Sequence, residues 1–194
     1  TASFAALAPK PVSQIQSISL AGWWHSDLGE CKLPGTTDEN HLGDGIHPTD
    51  VTAQLTRLWP YTGQVNYTRE IDIPAAMAGK PLCLYLERTK PTTLWVDGDS
   101  IGSQGHLYAA HQYTLPALKA GKHQLRIRVD NRNEAVPSGV HGSHAWSDAT
   151  QTNWNGILGQ MTLSVQESDR IQRVQVTPDV KNHRAEVLLY VQPA

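Results

Sequence analysis

The residues most suited to chemistry crowd ahead of one apolar alternation. Thr150, Gln151, Thr152, Asn153, Trp154 and Asn155 lead directly into GILGQMTLSV, residues 156–165. Amide side chains both donate and accept hydrogen bonds, and an indole offers a flat apolar face. That combination suits a polyhydroxylated ligand such as a sugar. Just upstream, His141, His144 and Asp148 stand in an H-x-x-H-x-x-x-D pattern. Zinc motifs of this kind usually sit on a helix. Pro137, Gly139 and Gly142 oppose a helix here, so the histidines read as loop groups bonded to backbone or sugar, and no metal site is expected. The adjacent acids Asp38-Glu39 follow Pro34-Gly35 and read as a turn or cap pair. No Ser-His-Asp order and no Gly-rich phosphate loop stands out, and GDGIHP (43–48) reads as a turn.

Nearly every element that must position these groups reads as a strand. QVNYTREIDIP (64–74) alternates through Val65, Tyr67, Arg69, Ile71 and Ile73. KPLCLYLERT (80–89) puts Leu82, Leu84 and Leu86 on one face and Cys83 and Tyr85 on the other. TTLWVDGDSIGSQ (92–104) is strand, turn, strand, with Asp97-Gly98 supplying the positive φ of a tight hairpin. GKHQLRIRVDN (121–131) sets Leu125, Ile127 and Val129 against Gln124, Arg126 and Arg128. Helical periodicity is limited to a turn or two near 75–78 and 115–120. The succession predicts an all-β antiparallel sandwich. Two stretches break the rhythm. Residues 25–63 are long and polar after a strand near 20–24, and residues 131–155 have no clear period. Loops beyond about 15 residues are uncommon unless they bind or catalyse, and these two are expected to meet at one rim.

Composition narrows the class. The 194 residues carry 18% charged side chains and a formal charge of −2, which gives no footprint for nucleic acid or an anionic membrane. No apolar run approaches the ~18 residues of a membrane span. The opening TASFAALAPKPVSQIQS has neither Met nor a basic segment; one reading is a mature end left after signal removal, with a periplasmic or secreted compartment expected. Of two cysteines, Cys83 reads as a small buried hydrophobe, and a Cys31–Cys83 bridge is left open.

A series of motifs carries a resemblance. SLAGWW (19–24), LPGTTDENHLGD (33–44), RLWPYTGQVNYTREIDIP (57–74), LERTKPTTLWVDGDSIGSQ (86–104), GKHQLRIRVDN (121–131) and TQTNWNGILGQMTL (150–163) occur in this order. Together they resemble the N-terminal sugar-binding domain of glycoside hydrolase family 2, whose members include β-galactosidases, β-glucuronidases and β-mannosidases. The resemblance implies a galactose-binding-like jelly roll over residues 17–168, preceded by an extension, 1–16. Residues 169–194 resemble the first strands of the immunoglobulin-like domain that follows in the family. A (β/α)₈ barrel then bears two catalytic glutamates. Retaining hydrolysis needs two carboxyls about 5–5.5 Å apart, and the resemblance places neither in this chain. Asn133-Glu134 mimics the pair before the family's acid/base but falls in a sandwich loop.

In the family the loop before the Gly-Ile strand reaches the barrel pocket with an acidic residue. Asp148 is the nearest acid here, slightly farther from Gly156 than the family spacing. The expected substrate-binding residues are therefore His144, Asp148, Thr150, Asn153, Trp154 and, from the other loop, Trp59, with no catalytic residue, no metal and no cofactor. For Trp154 and Asn155 two readings stand: facing sugar, or packed inward. Trp95 reads as packing, and one of Trp23 and Trp24 as core. The implied partners are a terminal β-linked sugar and the other domains of the same polypeptide. Residues 133–155 hold no Arg or Lys, which argues against an acidic sugar and for a galactosidase-like parent. A stand-alone carbohydrate-binding module and a purely structural domain are the other readings.

Overall fold

The computed structural model describes residues 16–45, 58–147, 149–166 and 170–192. It contains β1 (Ser17–Ser19), β2 (Gly22–Ser26), β3 (Gly29–Leu33), β4 (Gly35–Thr36), β5 (Gln64–Ile73), β6 (Leu82–Thr89) and β7 (Thr92–Val96). There follow β8 (Asp99–Gln104), β9 (His111–Leu115), β10 (Gly121–Asp130), β11 (Gly156–Val165), β12 (Arg170–Asp179) and β13 (Arg184–Gln192). Only short 3₁₀ turns interrupt them, and no α-helix occurs among the described residues. One sheet runs β1-β11-β6-β9, with β4 also on β11, and the other runs β3-β2-β5-β10-β7-β8. Every strand pair is antiparallel. The two sheets form a jelly-roll β-sandwich.

The core follows from period-2 alternation. Val65, Tyr67, Ile71 and Ile73 of β5 face Leu82, Leu84 and Leu86 of β6, with Leu125, Ile127 and Val129 from β10 and Ile157, Met161 and Leu163 from β11. All are nearly inaccessible to water. Trp24 is core and Trp23 is 67% exposed, as opposite faces of one strand require. Trp95 lies on the outer face of its sheet, half-buried, under the guanidinium of Arg126, 4.0 Å from the ring centre. Asp97 and Gly98 both have positive φ, 52° and 92°, and close the β7–β8 hairpin.

The structure departs from the sequence expectations in four places. The stretch from residue 25 is not all loop, because β2 and β3 form a hairpin in register from Gly22↔Leu33 to Ser26↔Gly29. Strand β9 was not anticipated. The 115–120 segment forms no helical turn after β9 ends at Leu115, whereas Met77 and Ala78 both bond back to the Pro74 carbonyl. Cys83 is only half-buried, because it faces away from the leucine side of β6; Cys31 is the buried cysteine, and no disulfide joins the two. Burial pushes the Cys31 thiol up to about 11.

Strands β12 and β13 pair only with each other. Their apolar side chains, Val174, Val176, Leu189 and Val191 among them, stay half exposed.

Candidate functional site

Three segments converge at one rim of the sandwich, and buried amides hold them there. Asn155 and Asn131 are fully buried. The Asn155 amide nitrogen donates to the carbonyls of Gly63 (3.1 Å) and Val129 (3.2 Å) and to Asn131 Oδ1 (3.1 Å). Asn155 Oδ1 accepts from the Tyr67 hydroxyl at 2.9 Å. Asn131 Oδ1 also accepts from Gly63 N at 2.8 Å, and its amide donates to the Tyr61 carbonyl at 2.8 Å. This satisfies a set of buried polar groups that would otherwise be costly. Both ends of the 131–155 loop are thereby fixed, and residues 61–63 are fixed beside them. Burial holds the Tyr67 hydroxyl well above its ordinary pKa, so it stays a donor. Asn155 thus packs inward and is not part of a sugar-facing loop.

Gly156 explains why the loop enters β11 at that point. Its φ is +137°, and a Cβ there would lie 2.3 Å from the Gly35 carbonyl oxygen. Only glycine allows β4 so close. The Thr89 hydroxyl donates to the Gly156 carbonyl at 2.9 Å, which joins the end of β6 to the same corner.

Above this lock lies a cleft of about 400 Å³, lined by Thr62, Arg132, Asn133, Glu134, Trp146 and Asn153, with Gly142 and Ser147. Asn133 Oδ1 accepts from the Trp146 indole at 3.0 Å, so one wall of the cleft braces the other. Arg132 grips Asp130 through two bonds of 3.0 and 2.8 Å. Burial works to raise the Asp130 pKa, but its bonds from Arg132 and Gln64 prevail and hold it below the usual carboxylate value. His141 donates from Nε2 to the carbonyls of Asn133 (2.8 Å) and Val136 (3.2 Å), which closes the first 3₁₀ turns of the loop.

Of the expected substrate-binding residues that the structure describes, Asn153 alone lines the cleft, and it is nearly buried. His144 and Thr150 are exposed on the same loop and joined by a bond from the Thr150 hydroxyl to the His144 carbonyl, 3.2 Å. Trp154 is half-buried. Trp59 lies in the neighbouring loop, stacked on His41 with ring centres 5.3 Å apart, and is not on the cleft wall. Asp148 lies outside the described residues.

The adjacent acids serve their own loop. Asp38 Oδ1 accepts from Leu58 N (3.0 Å) and Trp59 N. Glu39 accepts from Thr36 N at 2.8 Å while Thr36 Oγ1 accepts from Glu39 N at 3.1 Å. This reciprocal pairing has the form of a capping box.

One group escaped the sequence reading. Lys90 follows β6, is only 6% exposed, and donates from Nζ to the Thr152 carbonyl. The same nitrogen lies 4.7 Å from the Trp146 ring centre and 4.8 Å from that of Trp154. The available signal was a lysine between a clear strand and a proline, a place where the chain crosses between sheets.

No protein-family model matches the chain, and no curated protein matches it. Solved structures do. The β-glucuronidase of Faecalibacterium prausnitzii matches with TM-score 0.64 at 19% identity over 97% of this chain and 37% of that one. The GH2 β-galacturonidase of Eisenbergiella tayi, bound to galacturonate, matches with TM-score 0.58 at 19% identity over 89% of this chain and 28% of that one. The β-D-mannosidase of Dictyoglomus thermophilum gives 0.63 at 16% identity, over 84% and 24%. The shared property is the fold. The chain spans between a quarter and just over a third of the length of these structures.

Proposed function

We propose that the chain is the non-catalytic sugar-binding domain of a family 2 glycoside hydrolase, a retaining exo-β-glycosidase. The observation that carries this reading is the rim cleft. A long polar loop, braced by Asn133 and Trp146, stands over a buried amide lock on a fold shared with glycosidases. In this reading a barrel of the same polypeptide supplies the two carboxyls, about 5–5.5 Å apart, that retaining hydrolysis requires. The use of Asp38 and Glu39 in backbone bonds supports a non-catalytic role, and Glu134 is the only acid on the cleft wall among the described residues. Asn153, with His144, Thr150 and Trp154 of the same loop, would give neutral hydrogen-bonding and stacking groups to the pocket, Asp148 would add a carboxylate, and Trp59 would offer a stacking face from the neighbouring loop. Such groups raise the rate where their bonds strengthen at the transition state. The ribbon of β12 and β13 would open the immunoglobulin-like domain that follows.

The proposed sugar is neutral and galactoside-like. Arg132 is the cation on the cleft wall, and Asp130 already holds it. A uronic acid is the second reading, favoured by that same arginine and by the substrates named for two of the similar structures. Hydrolysis of nitrophenyl β-galactoside, β-mannoside, β-glucuronide and β-galacturonide decides, measured on this chain and on the full-length protein. Turnover by the full-length protein alone supports the domain reading, and the preferred glycoside names the sugar. Turnover by this chain alone overturns it. Binding without turnover in either protein favours a carbohydrate-binding module.

A further inference from the structure

We propose that Lys90 is a positioning residue for the rim loop: its cation, caged between Trp146 and Trp154 and bonded to the Thr152 carbonyl, fixes the cleft wall. The inference rests on the cleft being the sugar site, but its physical basis does not. Burying an ammonium is unfavourable unless specific groups replace its water. Two indole faces and a carbonyl from residues 146–154 take part in this here. The three groups belong to one loop, whereas Lys90 belongs to the crossing between the two sheets. The loop therefore folds around a post that the sandwich supplies.

The cage touches the cleft on its structural side. Trp146 is a wall of the cleft and is braced by Asn133. The Thr152 carbonyl that Lys90 holds is one residue from Asn153, which lines the cleft. The amides of Thr152 and Asn153 both return to the Ser147 carbonyl, at 3.0 and 3.3 Å. A shift of the Lys90 ammonium thus moves Trp146 and Asn153 together. Cation–π attraction is strongest when desolvated, so the cage depends on charge and not only on filled volume.

The test compares Lys90→Met, which keeps length and loses charge, with Lys90→Arg, which keeps charge. Hydrogen exchange is read at the Trp146, Thr152 and Asn153 amides and at β6 and β11, in the full-length protein. The expected result is lost protection in the loop for Lys90→Met, unchanged protection in the strands, and recovery of most loop protection in Lys90→Arg. Catalytic efficiency on the preferred glycoside should fall by about 100-fold in Lys90→Met, mainly through kcat, since a displaced wall misplaces the bound sugar. Native loop protection in Lys90→Met overturns the proposal. If Lys90→Met does not fold, Trp154→Leu removes one wall of the cage from a half-buried position. Loss of loop protection there supports the role, and native protection overturns it. If the full-length protein hydrolyses no glycoside, the functional reading falls while the exchange data still decide on Lys90.

Discussion

Asn155 shows how much one side chain can hold. Replacing it with alanine removes the donor to Gly63, Val129 and Asn131 and the acceptor for Tyr67. Leaving buried partners unsatisfied costs about 2–4 kcal/mol. The expected fall in Tm is roughly 5–15 °C for a chain of this size, read by thermal unfolding. Two histidines contribute to the pH dependence of stability in opposite directions. His111 is fully buried; its Nε2 donates to the His106 carbonyl at 2.9 Å and its Nδ1 accepts from Thr92 at 2.6 Å. Burial lowers its pKa below the ordinary 6.5. The unfolded chain therefore takes up this proton first, so the His111 contribution is complete above pH 6.5 and is lost as pH falls below it. His123 bonds to Asp97 at 2.6 Å and its pKa is raised, chiefly by that bond. Its contribution is complete below pH 6.5 and is lost as pH rises through the folded-state value. Melting His123→Gln between pH 5 and 8 should show the alkaline-side loss diminished and the acid-side loss intact. An unchanged alkaline limb would rule out this assignment.

Strands tolerate glycine substitution according to what stands opposite. At Gly156 an added Cβ meets backbone, the Gly35 carbonyl, at 2.3 Å. At Gly159, in the β11 bulge, it meets the carboxylate of Glu87 at 2.4 Å, the movable end of a side chain. Gly156→Ala should cost about 3 kcal/mol or more, and Gly159→Ala about 1–2 kcal/mol, since both also carry positive-φ strain. Denaturant unfolding ranks them, and equal costs would contradict the backbone argument. Strands β5, β6, β7, β10 and β11 were legible because their inward positions are apolar at period 2, and β8 because the Asp97-Gly98 turn leads into it. Strand β9 was not, because its inward residues are His111, Tyr113 and Leu115. A histidine reads as polar until its partner, Thr92, is known, and that partner is 19 residues away. The site was legible as a loop with sugar-compatible chemistry. Its division into inward and outward residues was not, because the groups that bind Asn155 lie 24 to 92 residues away. Lys90 was illegible for the same reason.

At the scale of the molecule the sandwich and the ribbon of β12 and β13 have different sources of stability. The sandwich has a closed core, and an isolated two-stranded ribbon is marginal in water. Val180 in the ribbon turn is 81% exposed and Val176 is 57% exposed. Removing residues 170–192 should leave the Tm of the sandwich within about 2 °C, since no core side chain goes with them. A larger fall would mean that the ribbon braces the sandwich. The amide lock has another consequence at this scale. Asn131 and Asn155 meet at 3.1 Å, so the points where the loop leaves and rejoins the sheets are pinned together regardless of what lies between. Lengthening such a loop costs only about 0.6 kcal/mol per doubling. The rim can therefore accept insertions, deletions and wholesale replacement between its anchors, which makes it an interchangeable cassette on one scaffold.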